Sequence, residues 1–523
     1  MNKQPLASLL SVLDGFVDSA QIDSLVDLQI KGMTLDSRSV KKGMLFVALK
    51  GTQTHGLHYA LNAQQQGAIA VIWESDTSLE KNEQEKAQLL NNLFIPNIEI
   101  KNLSTHLGEI ATRYYQIRDH KGQIKPNYGL KIIGVTGTDG KTSVSHFIAQ
   151  AMNALAPNKT AIIGTLGIGL IDNLKKSTQT TPDLLTVHKT LHQLANDGIE
   201  VVAMEVSSHA LDQGRVDGVE FDTAILTNLT RDHLDYHGTV KKYAKAKEKL
   251  FLRPELNSIV LNQNDTFSQH IINKLKQSDS DKECLRYLVK SAALDNEQSA
   301  ELIAENARFT HQGIEAQVSF SGQKGVLKVG VIGWFNLSNL LATLATMLGL
   351  KIKFSDALEA LNKVKTVSGR MEPIASKDRL VVVDYAHTPA ALESVLKALR
   401  HHTEQRLICV FGCGGDRDKG KRPLMAKIAE QNADSVIVTD DNPRTEDPKG
   451  IMSDITAGFT QPENILIEHN RAKAIRNAIS QAKAGDVVLI AGKGHEQVQI
   501  FAHKSELFDD RQQVVEALQE LTL

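Results

Sequence analysis

The apolar run Leu130–Val135 leads into Gly134-Val135-Thr136-Gly137-Thr138-Asp139-Gly140-Lys141-Thr142, and an amphipathic stretch follows from Thr142 to Leu155. A strand that passes through a glycine loop into a helix commits the chain to a parallel sheet with helices packed over its faces. The same layout builds a phosphate cradle. Glycines let backbone N–H groups turn inward, the helix start carries partial positive charge, a lysine reaches the outer phosphates, and a threonine hydroxyl can ligate Mg²⁺. Here the cradle residues are Gly137, Thr138, Asp139, Gly140, Lys141 and Thr142. The spacing departs from the usual pattern, because Val135 stands five residues before Gly140 where a glycine is expected. A bare Gly-Lys-Thr can also be an ordinary turn. The strand before it and the helix after it favour the phosphate reading, so the chain is expected to spend a nucleoside triphosphate.

At about 150 residues per domain, 523 residues suggest three or four domains. A net charge of −2 argues against nucleic acid as the main partner, which would need a concentrated basic surface. No apolar run is long enough to span a membrane. Met1–Ala20 carries one lysine and is broken by Asp14 and Asp18, unlike a signal peptide. Cys284, Cys409 and Cys413 are too few and too scattered for a disulfide framework. Cys409 and Cys413 flank a predicted strand end and read as small buried residues. A cytoplasmic location and a monomer are expected.

Three blocks follow one another, at 1–128, 129–366 and 367–523. The first holds the apolar runs Leu45–Leu49 and Ala68–Trp73 and reads as a small α/β domain; Asp119–Asn127 reads as a linker. In the second, strands are predicted at Lys131–Val135, Ala161–Ile163, Glu200–Val206, Thr223–Asn228 and Ser258–Leu261, with helices at Asp183–Asn196 and Val240–Leu250. Gln277–Gln312 is polar and is expected to be irregular. In the third, strands are predicted at Leu380–Tyr385, Leu407–Phe411, Ser435–Thr439 and Val487–Ala491. The expected class is α/β: a central domain with a mostly parallel sheet around the phosphate loop, and a doubly wound, Rossmann-like C-terminal domain. Nearly every polar cluster falls just past the carboxyl end of a predicted strand, the edge at which open parallel sheets bind ligands.

Several of those clusters carry chemistry. Glu205 ends a strand and can face a metal held at the phosphate loop. Asn228–Gly238 is dense in ligand-type side chains, and spacing alone does not choose among Asp232, His233 and Asp235. Lys247 lies among Lys241, Lys242, Lys245 and Lys249 and by itself reads as part of a solvated basic face. Thr180-Thr181-Pro182-Asp183 reads as a helix start with a capping residue.

Taken with Asp384-Tyr385-Ala386-His387-Thr388-Pro389 and Asp441-Asn442-Pro443-Arg444, these motifs resemble the Mur ligase family, in the expected order across all three blocks. The resemblance implies an ATP-dependent amide-forming enzyme of peptidoglycan precursor synthesis. Its first domain would hold the uridine nucleotide, its second ATP, and its third would close over ATP and bind the incoming amino acid. By the same resemblance, Lys141 steadies the phosphates, Thr142 and Glu205 hold one Mg²⁺, and Glu205 and His233 are associated with a second. Lys247 matches a lysine that carries a CO₂-derived carbamate, which replaces the solvated-face reading. Ser37 matches a uridine contact. Thr180, Thr181, Ser207, Gln213 and Arg215 match contacts to the muramoyl-dipeptide. Asn336, Arg370, Asp384 and His387 match residues around adenosine and phosphates. Asp139 departs from the family pattern, which commonly has Asn there; its side chain is expected to face outward while the backbone makes the contacts.

The implied acceptor is UDP-N-acetylmuramoyl-L-alanyl-D-glutamate, and the loop at 441–444 points to meso-2,6-diaminopimelate as the amine. This amino acid differs from lysine by a distal carboxylate. Arg444 and Arg417 could pair with it, Asp441 and Glu496 could hold the ammonium, Asn442 belongs to the same string, Pro443 would stiffen the loop, and Gly492 would permit close approach. The competing readings are a lysine-adding member of the family, folylpolyglutamate synthase, a P-loop NTPase without ligase activity, and a non-catalytic scaffold.

Overall fold

The computed structural model describes residues 7–17, 28–51, 54–75, 83–118, 121–277, 281–290, 299–374 and 379–521. They fall into two compact units. The first takes the described residues up to Lys141, with Ala156–Ile259 and His270–Glu283; the second takes Thr142–Leu155, Val260–Gln269 and those from Cys284 onward. No helix among the described residues is long and apolar enough to cross a membrane.

In the first unit, Met33–Thr34, Met44–Ala48, Ala68–Glu74 and Asn97–Ile100 form a parallel sheet in that order. The helix Leu103–Tyr115 buries Leu103, Leu107, Ile110, Ala111 and Tyr114, a stripe at helical spacing. A second set of strands runs in the order Gly167–Gly169, Thr160–Gly164, Val201–Glu205, Lys131–Thr136, Thr223–Leu226. All its pairs are parallel except the hairpin between the first two. Ser258–Asn262 is also a strand. The register sets Glu205 beside Val135 and Leu226 beside Thr136, so three strands finish at one edge. Asp183 caps the helix Leu184–Asn196 by accepting a hydrogen bond from the Thr186 N–H at 3.1 Å.

The segment read as a linker is more ordered than that. Residues 119 and 120 lie outside the described part, but Ile124–Lys125 pairs antiparallel with Ile117–Arg118. Tyr128 then bonds Nδ1 of His188, whose Nε2 lies 2.8 Å from the Asp217 carbonyl.

In the second unit, apart from Glu283 itself, the strands Glu283–Val289, Leu302–Thr310, Gly313–Phe320 and Gln323–Val329 lie side by side, the first pair parallel and the rest antiparallel. This corrects the irregular reading of Gln277–Gln312, of which 278–280 and 291–298 lie outside the described residues. Along Leu302–Thr310, exposed Asn306, Arg308 and Thr310 interrupt the apolar run, because one face of this antiparallel sheet is wet. A six-stranded sheet follows in the order Glu372–Ile374, Leu380–Asp384, Val487–Ala491, Leu407–Phe411, Ser435–Val438, Leu466–Ile467, antiparallel only at the first pair. Both faces are covered. Leu392, Leu396 and Met425 pack on one, and Ile475, Ile479 and Val514 on the other. Cys409 and Cys413 sit in that core, and burial pushes both thiols up to about 12.

Candidate active site

The phosphate loop begins where the strand Lys131–Thr136 ends. Gly137 has φ +153°, and a Cβ there would lie 1.9 Å from Thr227 Oγ1, so only glycine fits. Thr227 Oγ1 donates to the Asp139 carbonyl at 2.5 Å, Asp139 N–H donates to Asn228 Oδ1 at 2.9 Å, and Thr138 N–H donates to the Asn228 carbonyl at 3.0 Å. Tyr243 donates its hydroxyl to Thr138 Oγ1 at 3.1 Å. The loop is thus held through its backbone and small side chains. Asp139 itself is exposed, as anticipated for a carboxylate at a phosphate site.

Two lysine side chains meet over this loop. Lys141 Nζ donates to the carbonyls of Gly137 at 2.9 Å and Thr138 at 2.8 Å, and Lys247 Nζ donates to Gly137 at 2.7 Å. Lys247 is 1% exposed. Burial, with the Lys141 charge behind it, drives its pKa well below the ordinary lysine range. The solvated-face reading of Lys247 therefore fails. Tyr243, Ala246, Lys247 and Leu250 form the buried stripe of the helix Val240–Phe251.

A cavity of about 460 Å³ opens beside the two lysines, lined by Lys141, Thr165, Thr180, Thr181, Ser207, His209, Arg215, His233 and Lys247 among others. Seven of the residues singled out in the sequence thus share one wall. Glu205 lies buried behind them. Its Oε1 accepts from Thr165 N–H at 2.9 Å and its Oε2 from the Thr165 hydroxyl at 3.0 Å. Thr181 Oγ1 donates to the Glu205 carbonyl at 2.7 Å and accepts from Ser207 N–H at 3.1 Å. Arg215 donates to Gln179 Oε1 at 2.6 Å and to the Thr181 carbonyl at 3.0 Å, and its Nε donates to Gln213 at 2.9 Å. His233 has a left-handed backbone, φ +51°, at the start of a one-turn helix. His209 stands at its ring, 4.9 Å between centroids. Ser37, elsewhere in this unit, is buried in a 3₁₀ turn that Asp36 caps.

The other predicted residues lie in the second unit. Asp384 is buried and accepts from the N–H groups of Met371 and Ala386, each at 2.7 Å. Burial raises its pKa, and the Arg370 guanidinium opposes the rise. Arg370 lies over the Tyr385 ring at 5.0 Å, and His387 is exposed. Asn336 is buried, with its amide bonded to the Ile332 carbonyl and to Asn339. Arg444 has φ +51° and donates to the Gly415 carbonyl at 2.8 Å; exposed Arg417 donates to the Asp416 carbonyl at 3.0 Å. At Gly492 the group in close approach is Asp441, whose Oδ2 would lie 2.6 Å from an added Cβ. Asn442 is turned inward. Its Oδ1 accepts from Lys493 Nζ and Ile500 N–H, each at 3.0 Å, and its Nδ2 donates to Glu496 at 2.9 Å.

The sequence matches three family models in chain order: "Mur ligase family, catalytic domain" over 29–115, "Mur ligase middle domain" over 135–347 and "Mur ligase, glutamate ligase domain" over 369–494. It is 45% identical over 490 residues to the UDP-N-acetylmuramoyl-L-alanyl-D-glutamate–2,6-diaminopimelate ligase of Ectopseudomonas mendocina, across 94% of this chain and 95% of that one. The chain belongs to the Mur ligase family. A protein of the same name from Coxiella burnetii is 41% identical across 97% of this chain and 99% of its own. A solved structure of a protein with that name superposes with a TM-score of 0.73 at 33% identity, covering 99% of this chain and 100% of that one.

Among the described residues of this Mur ligase, no group of three or more His, Cys, Asp and Glu side chains is placed to hold a metal by itself. Of the three residues matched to Mg²⁺ by the resemblance, Thr142 and Glu205 are buried and His233 lines the cavity. Three residues that shape these sites escaped the sequence reading. Thr165 holds the Glu205 carboxylate, Thr227 closes the loop over Gly137, and fully buried Lys493 ties Asn442 to Glu496. Only Lys493 left a signal, being set between Gly492 and Gly494 and three residues before Glu496.

Proposed function

We propose that this Mur ligase joins meso-2,6-diaminopimelate to the D-Glu residue of UDP-N-acetylmuramoyl-L-alanyl-D-glutamate, with ATP converted to ADP and phosphate, in cytoplasmic peptidoglycan precursor synthesis. The names borne by its relatives support this. The observation that carries it is the meeting of the Lys141 and Lys247 side chains over the phosphate loop, beside a cavity walled by Thr180, Thr181, Ser207 and Arg215. We assign the domains to 1–128, 129–366 and 367–523, within which the three family matches fall one apiece.

A carboxylate is a poor acylating group until one of its oxygens becomes a leaving group. The D-Glu carboxylate attacks the γ-phosphate to give an acyl phosphate and ADP. The amine then attacks the acyl carbon, and the tetrahedral intermediate collapses with loss of phosphate. The protein positions the reactants and offsets growing negative charge. Lys141 faces the transferred phosphoryl group. Thr180, Thr181, Ser207, Gln213 and Arg215 hold the muramoyl-dipeptide, with Arg215 supplying charge for its carboxylates. Ser37 contacts the uridine end, and Asn336, Arg370, Asp384 and His387 serve the adenosine and phosphates. Arg417, Asp441, Asn442, Pro443, Arg444, Gly492 and Glu496 form the diaminopimelate site, with Pro443 stiffening the loop.

Thr142, Glu205, His233 and a carbamate on Lys247 would hold Mg²⁺, which supplies further neutralisation of phosphate charge when bound. Lys247 suits carbamate formation because burial favours its neutral amine, the form that adds to CO₂ with loss of a proton.

Product analysis by mass tests the reading. Incubation with ATP, Mg²⁺, the muramoyl-dipeptide nucleotide and diaminopimelate should give the tripeptide nucleotide, and far less product with lysine. Faster turnover with lysine would overturn the amine assignment; ATP hydrolysis with no ligated product would overturn the ligase.

A further inference from the structure

Two loops of the second unit carry the arginines assigned to the distal carboxylate: 414–419 with Arg417, and 441–446 with Arg444. The backbone is left-handed at Asp416, φ +55°, and at Arg444, φ +51°. Arginine does not adopt that conformation unless its surroundings impose it. What imposes it here is a set of bonds between the loops, together with the Arg444 N–H, which donates to the Ile500 carbonyl at 3.0 Å. Gly415 N–H donates to the Asn442 carbonyl at 2.9 Å, and Arg444 Nη1 donates back to the Gly415 carbonyl at 2.8 Å. Thr445 donates its N–H and its hydroxyl to the Asp416 carboxylate, at 3.1 and 2.7 Å.

Beneath the pair of loops lies Arg422, on the helix Lys421–Asn432, with a fully buried side chain. Its two terminal nitrogens meet the two Glu446 oxygens at 2.9 and 3.0 Å, a bidentate pair. The same guanidinium donates to Asp454 at 2.7 Å and to the Gly414 carbonyl at 3.2 Å. Glu446 Oε1 also accepts from Asp416 N–H at 2.5 Å, and its Oε2 lies 3.4 Å from Lys419 Nζ. Both oxygens of Glu446 are thus taken by the protein, and its carboxylate touches both loops. Bonds from Arg422 and the Asp416 N–H hold its carboxyl down at about 2, so the anchor stays ionised at any working pH.

We infer that Arg422 and Glu446 are positioning residues that set Arg444 for the distal carboxylate of the incoming amino acid. This rests on the assignment of Arg444 under the proposed function. Neither residue need touch the ligand. Arg422 fixes Glu446, Glu446 fixes Asp416, and Asp416 with Gly415 fixes the turn at 443–445 from which Arg444 projects.

The test is steady-state kinetics of the full chain carrying Glu446→Gln, which keeps the shape and removes the charge. The KM for diaminopimelate should rise about tenfold, the scale of one lost charge-assisted bond. The KM for ATP and for the muramoyl nucleotide should stay within about twofold. Arg422→Lys combined with Glu446→Gln should be no worse than the stronger single variant, since both break one pair. A lower melting temperature with an unchanged KM for diaminopimelate, or equal rises for all three substrates, would overturn the inference. If Glu446→Gln does not fold, Thr445→Val at an exposed position decides. It should raise the same KM about threefold by loosening Asp416, and no change would refute the linkage. Arg444→Ala in the parent separates this inference from the reading beneath it. If Arg444→Ala impairs diaminopimelate use and Glu446→Gln does not, only the positioning role fails; if Arg444→Ala has no effect, the assignment of the site fails.

Discussion

Arg444→Ala tests how the amino acid is chosen. The guanidinium spends one nitrogen, Nη1, on the Gly415 carbonyl, which leaves Nη2 and Nε for a ligand carboxylate. Alanine at φ +51° is strained about as much as arginine, so the substitution removes the charged group without changing the backbone cost. A charge-assisted hydrogen bond contributes roughly 1.5–3 kcal/mol, and each 1.4 kcal/mol is about tenfold. The KM for diaminopimelate should therefore rise by roughly 10- to 150-fold. Lysine lacks the distal carboxylate, so its slow turnover should be nearly unchanged, and the preference for diaminopimelate should shrink by the same factor. The assay is kcat and KM for each amine at saturating ATP and muramoyl nucleotide. If both amines weaken together, or if the KM for ATP moves as far as that for diaminopimelate, Arg444 is not the selecting group.

Lys247→Ala should lower turnover roughly hundredfold or more, the scale of removing one group that stabilises developing charge. High bicarbonate or a short carboxylate should restore part of it, and full activity in the variant would exclude the carbamate. Burial lowers His146 and His188 to about 4, so each stays neutral in the fold. Between pH 6.5 and 4 the unfolded chain binds these protons and the folded chain does not. Stability is therefore present above 6.5 and is lost as pH falls, by on the order of 3 kcal/mol per histidine. In His188→Gln the melting temperature should fall less steeply over that range; a slope equal to that of the parent would contradict the assignment for His188.

The buried strands were the most legible part of the chain. Leu407–Phe411 and Val487–Ala491 appear with the bounds expected, and Lys131–Val135 gains one residue. Strands covered on both faces read as unbroken runs of Val, Ile and Leu. The strands Glu283–Val289 and Leu302–Thr310, the second with one face wet, lack such runs and do not stand out in the sequence. Lysine neighbours hide Lys247 from a reading of the residues alone, and the family resemblance singles it out; its place between Tyr243, Ala246 and Leu250 is also a buried helical stripe. Asn442 belongs to the string assigned to diaminopimelate, and its bonds to Lys493 and Ile500, more than fifty positions away, cannot be read from that string.

Local order is encoded locally: a glycine loop between strand and helix, capping residues at helix starts, apolar runs of strand length. These depend on neighbours in the chain, so they can be read from it. Strand order cannot. Val201–Glu205 and Thr223–Leu226, not Thr160–Gly164, flank the strand that feeds the phosphate loop. That choice brings Thr227 onto Gly137 and Glu205 up to the same edge, and the helix after it brings Lys247 down onto the loop. Which distant segments become neighbours is settled by burial and pairing of the whole sheet, a property of the packed molecule that no single stretch of sequence contains.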